Sequence, residues 1–79
     1  MNTTDSVLDI RPTPPKDRFE TIMNAYDGLA IGATLHLVVD HDPRCMYYTL
    51  QATRGDAAFE FEYVEDGPTV WQVLVTRFE

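Results

Sequence analysis

The chain is poor in cysteine, in basic residues and in long apolar runs, and each shortage closes off a class of protein. One cysteine, Cys45, excludes a disulfide framework and a cysteine-rich zinc site. Six lysines and arginines against thirteen aspartates and glutamates leave a net charge of −7. That balance repels phosphate backbones, so no nucleic-acid partner is expected. No apolar stretch approaches the roughly 18 residues a membrane-spanning helix needs, so no membrane role is expected. Residues 1–6 carry no basic region followed by an apolar run. No secretory signal is read there, and a cytoplasmic location is expected.

What remains is ordinary for a small globular domain. The apolar share is 44%, too high for a disordered chain and enough for a single two-layer core. There is no repeat, linker or low-complexity segment. Residues 1–6 are expected to form a disordered N-terminal tail, and residues 7–79 a single domain.

Hydrophobic periodicity divides that domain into six elements. Val7 to Arg11 is a short strand, stopped by Pro12, Pro14 and Pro15. Thr13 is the expected N-cap of a first helix, with Pro14 at its first position. Phe19, Ile22, Met23, Tyr26 and Leu29 form one apolar stripe at helical period, and Gly28 and Gly32 mark its end. Thr34 to Asp40 alternates as a strand. Asp42 and Pro43 repeat the cap-and-proline signal, opening a second helix that carries Met46, Tyr47 and Leu50 and stops near Gly55. Ala58 to Val64 alternates most clearly, Glu65 to Pro68 reads as a turn, and Val70 to Phe78 is the last strand, with Trp71, Val73 and Val75 on its core face.

The fold class read from this order is α+β. It is a two-layer α/β sandwich of β-α-β-α-β-β order, with two helices on one face of a four-stranded mixed sheet. The open face is expected to carry Asp9, Arg11, His36, Glu60, Glu62, Gln72 and Thr76, with Leu74 and Phe78 as its exposed apolar groups. Cross-strand ion pairs would account for the charges, and association with a protein for the apolar ones.

Four segments together carry a resemblance. They are Leu8-Asp9-Ile10-Arg11 with its proline cluster, Tyr26-Asp27-Gly28-Leu29 followed by Gly32, Asp40-His41-Asp42-Pro43-Arg44, and Gly67-Pro68 followed by Trp71. They resemble the family catalogued as domain of unknown function 2249, over about residues 7 to 77. That family in turn is similar to the TusA/SirA-like sulfur carriers, which implies the same sandwich. Those carriers place a reactive cysteine at the first helix. Here Pro14 or Pro15 stands there, so that persulfide chemistry has no nucleophile. Family members often carry a histidine just after the prolines; Phe19 takes that place. Their association with hemerythrin-like and denitrification proteins implies a loose redox or nitrogen-oxide context.

Candidate sites follow from side-chain chemistry. Asp40, His41 and Asp42 offer two carboxylates and an imidazole, with His36 as a further donor, to a metal. In an extended segment, however, His41 points away from its neighbours. The stronger reading makes Asp42 the cap of the second helix and the loop with Arg44 a ligand- or partner-binding edge. Tyr48, beside Arg44, is expected at the mouth of a pocket. Cys45 in the first turn of the second helix is a chemically possible thiol for sulfur transfer or redox sensing. Together these features describe a small non-catalytic binding or accessory module, without metal or cofactor, monomeric or a weak homodimer. Its alternatives are a redox or sulfur-transfer protein using Cys45 and a metal-binding protein using the Asp40-His41-Asp42 loop.

Overall fold

The computed structural model describes residues 6–79. The elements are β1 (Ser6–Asp9), α1 (Pro15–Asp27), β2 (Thr34–Val39), α2 (Arg44–Arg54), a short 3-10 turn (Asp56–Ala58), β3 (Phe59–Asp66) and β4 (Trp71–Arg77). The expected β-α-β-α-β-β order is the observed one. The sheet runs β1-β2-β4-β3, with β1 parallel to β2 and the other pairs antiparallel. The expected tail at residues 1–6 lies outside the described residues except for Ser6, which pairs with Leu35 as the first residue of β1.

The core sits between the helices and one face of the sheet. Leu35, Leu37 and Val39 of β2 lie opposite Val75, Val73 and Trp71 of β4. Ile22, Met23 and Tyr26 from α1 and Met46 and Leu50 from α2 close over them, and Ile10 is fully buried at the exit of β1. Each such aliphatic side chain contributes about 1.5–3 kcal/mol on burial, which a two-layer domain this small needs.

Several boundaries move from their expected places. The expected N-cap positions both shift by one residue, from Thr13 to Pro14 at α1 and from Asp42 to Pro43 at α2. The first backbone bonds of α1 and α2 are accepted by the carbonyls of Pro14 and Pro43, and no side chain closes the N-terminus of α1. Thr13 instead turns back, its amide bonded to the Ile10 carbonyl. Pro14 lies one residue before α1 and Pro15 opens it. Gly28 keeps right-handed geometry, with φ −81°, and the positive φ comes at Gly32. β3 continues through Glu65 and Asp66, which the turn signal had claimed. A one-residue bulge at Val64 lets Tyr63 face Val73 and Glu65 face Gln72, so pairing resumes after the slip.

Arg77 locks the far end of the sandwich. Its guanidinium donates to the carbonyls of Asp27 and Leu29 and lies 5.8 Å over the Tyr26 ring. The last strand thereby holds the end of α1, with a cation–π contact added to hydrogen bonds.

Candidate functional site

The parallel pair β1–β2 delivers two chain segments to one end of the sheet, and each turns there into a helix. Between the helix starts lies a cleft of about 300 Å³. Pro15, Arg18, Phe19 and Ile22 line it from one face of α1, and Cys45, Met46 and Thr49 from one face of α2. These are helical neighbours three or four apart, so each helix presents a stripe. Ile10 and Val39 form the floor, and His41, Asp42 and Pro43 form one rim.

Phe19 was expected in the core stripe. It is 55% exposed because its turn of α1 overhangs the cleft.

Arg18 organises the rim. Its Nε donates to the Thr13 carbonyl at 2.8 Å, Nη2 to the Arg11 carbonyl at 2.9 Å, and Nη1 and Nη2 to the Asp40 carboxylate at 3.0 and 3.2 Å. One planar fork thus ties α1, the proline-rich turn and the exit of β2 together. His41 Nδ1 adds a 2.9 Å contact to Asp40 Oδ1. The Arg18 and His41 bonds hold the Asp40 carboxyl down at about 2.

Asp42 faces different partners. The Tyr63 hydroxyl donates to Oδ1 at 2.6 Å, and the Arg44 amide to the same oxygen at 3.1 Å. The Arg44 side chain reaches Oδ2 from Nε at 3.0 Å and Nη2 at 2.8 Å. The expected capping role survives in altered form, with Asp42 satisfying the first amide of α2 from two residues upstream. Tyr63 and then Arg44 lower the Asp42 pKa. Partial burial and the bond to Asp42 push the Tyr63 phenol up to about 12. Asp42→Asn is therefore expected to lower the Tyr63 titration part of the way from about 12, leaving the share due to burial, read by tyrosinate absorbance in an alkaline titration. The raised phenol adds stability that is fully present below its unfolded value near 10 and fades as pH rises toward about 12.

Of the residues singled out in the sequence, His41 and Asp42 line the cleft, whereas Asp40, Arg44 and Tyr48 do not. Tyr48 is 58% exposed and stands edge-on to Tyr47, at 5.4 Å between ring centroids. Tyr47 itself continues edge-to-face onto Phe59 and Phe61. Tyr48 thus belongs to an aromatic row over β3 and not to a pocket mouth. Asp40 and Asp42 turn to separate cations, and no group of three or more potential metal ligands gathers among the described residues. Cys45 is exposed and opens onto the cleft.

Arg18 escaped the sequence reading because its partner Asp40 is 22 residues away. A detectable signal was the 15, 18/19, 22 spacing beside the 45/46, 49 spacing, which predicts two facing stripes.

Gly67 accounts for the Gly-Pro-x-x-Trp segment. Its φ is +89°, and a Cβ there would lie 2.7 Å from Cε2 and Cζ2 of Trp71. The indole covers a glycine that no other residue can replace without moving the ring.

No helix is long and apolar enough to cross a membrane among the described residues. No curated protein and no solved structure matches the chain. One family does match, over residues 7–77, which takes in both walls of the cleft, the Arg18 latch and the Gly67–Trp71 contact. The chain belongs to that family, described as an uncharacterized conserved protein (DUF2249).

Proposed function

We propose that this domain is a small non-catalytic binding module and that the cleft between the starts of α1 and α2 is its ligand seat. The observation that carries this reading is the cleft itself. It is walled mainly by aliphatic and aromatic side chains and rimmed by polar ones. That is the usual composition of a small-molecule or side-chain pocket. Its volume suits a compact ligand or one protruding side chain of a partner. The proline turn and the Asp-His-Asp-Pro-Arg loop serve as its two rims, which gives those segments a shared purpose. A fragment screen of the full chain, read by amide and methyl NMR shifts, tests this. Hits are expected to move Phe19, Met46 and Thr49 together; an absence of hits, or shifts scattered over the surface, would count against it.

One observation favours a second reading, that of a thiol protein. Cys45 is exposed and is one of the residues that wall the cleft, so a bound molecule would lie beside this residue. Intact-mass analysis after challenge with a polysulfide or with peroxide separates the two. A mass gain confined to Cys45 supports sulfur transfer or redox sensing, and an unmodified thiol ends that reading.

A further inference from the structure

Among the described residues nothing covers the other face of the sheet, and its side chains are sorted by charge. Register places Val7, His36, Leu74 and Glu62 in one row across the four strands. The next row is Asp9, Val38, Gln72 and Glu65. Along β3, Glu60, Glu62 and Glu65 therefore share this face, beside an apolar line through Leu74 and Val38.

Five of the chain's six cations are committed elsewhere, and the sixth, Lys16, stands on α1 in the helix layer of the opposite face. Arg11 pairs with Asp9, Arg18 with Asp40, Arg44 with Asp42, Arg54 with Asp27, and Arg77 is committed to backbone carbonyls. Among the described residues no cation pairs with Glu60, Glu62 or Glu65. Gln72 links the middle of the face to its acidic edge: its Nε2 donates to Glu65 Oε1 at 2.6 Å, and its Oε1 lies 2.7 Å from His36 Nε2. With the amide so oriented, His36 Nε2 is the donor and Nδ1 is left as an acceptor in the neutral ring.

We infer that this open face is the docking surface for an amphipathic helix of a partner protein. The helix sets its apolar row over Val38 and Leu74 and a row of lysine or arginine against Glu60, Glu62 and Glu65. A helix fits because α1 and α2 already cover the opposite face in that manner, and a third layer completes a three-layer sandwich. Basic residues fit because none of the three glutamates forms an ion pair among the described residues, the one nearby cation, Arg11, being bonded to Asp9 while it feels Glu65 only at a distance, and the chain carries −7 overall. A second copy of this chain has the wrong chemistry. It would bring the same glutamates, and the one arginine near the face is already bonded to Asp9.

The test uses the immobilised full chain and a phage-displayed library of random peptides of roughly 20 residues, long enough to form a helix. Enriched peptides are expected to converge on apolar residues at helical spacing flanked by lysine or arginine. Their synthetic forms should bind at least about tenfold more weakly to the Glu60→Lys/Glu62→Lys chain and more weakly as salt rises. Leu74→Asp, checked for folding by circular dichroism, should lose binding too. Glu20→Lys/Asp56→Lys makes the same change in charge away from this face and should bind as the native chain does. Failure to converge, or equal binding to the Glu60→Lys/Glu62→Lys chain, would overturn the proposal. So would a dimer in sedimentation that Leu74→Asp abolishes, which would give the face to a second copy.

Discussion

Gly67→Ala is expected to cost about 3 kcal/mol, against a total stability of about 4–12 kcal/mol for a domain of this length. Two effects add. The backbone there has φ +89°, which an L side chain adopts at a cost of about 1–2 kcal/mol. The new methyl would also lie 2.7 Å from two atoms of the Trp71 indole, a rigid ring, and overpacking of this kind costs about 1–3 kcal/mol. Urea unfolding followed by the fluorescence of Trp71, the chain's one tryptophan, measures the sum. The melting temperature should fall by on the order of 15 °C. Gly32→Ala separates the two effects. Its φ is +88°, but nothing lies within 4 Å of the added Cβ, so only the backbone share, about 1 kcal/mol, should appear. Equal losses at the two glycines would show that the indole contact contributes nothing.

Arg18→Ala is the second large effect, expected at about 2 kcal/mol from lost charge-assisted bonds to two backbone carbonyls and from the exposed rim that remains. The side chain is 16% exposed, so solvent replaces those bonds poorly. Arg18→Lys should recover less than half, because one ammonium cannot reach the Thr13 carbonyl, the Arg11 carbonyl and the Asp40 carboxylate together. The acid dependence has a defined sign. The Asp40 pKa is lowered from 3.8 to about 2 in the fold, so its share of the margin is complete above 3.8 and is lost as pH falls through about 2. Denaturant unfolding of wild type and Arg18→Ala across that range should show the two curves drawing together at the acid end, while the carbonyl share persists. A margin that stays constant through this window would remove Asp40 from the account.

The elements were legible in the sequence because they rest on local pattern. The Leu35, Leu37, Val39 alternation and the Ile22, Met23, Tyr26 stripe are both buried as their periods require. The bulge at Val64 was not legible, since it is a slip of register against β4 and register is not a local property of β3, and it carried Glu65 from a supposed turn onto the open face. Phe19 kept helical period with the core yet ended exposed, because periodicity assigns a face and does not say whether anything packs there. The expected cross-strand ion pairs are likewise absent among the described residues, and Asp9 closes instead on Arg11 two positions along. The candidate site was half legible. His41 and Asp42 reach the cleft, but Arg18 and Tyr63, which hold Asp40 and Asp42 in place, approach them from 22 and 21 residues away. Tertiary contacts at that separation leave no local signal.

The central claim is that the space between the two helix starts receives a ligand, and locating a bound molecule tests it most directly. A structure of the full chain with the tightest fragment should place that fragment between α1 and α2, against Phe19 and Met46, with the Arg18–Asp40 latch closed. A fragment seated on the open sheet face or over the Tyr47–Tyr48 pair, with the space between the helices empty, would contradict it.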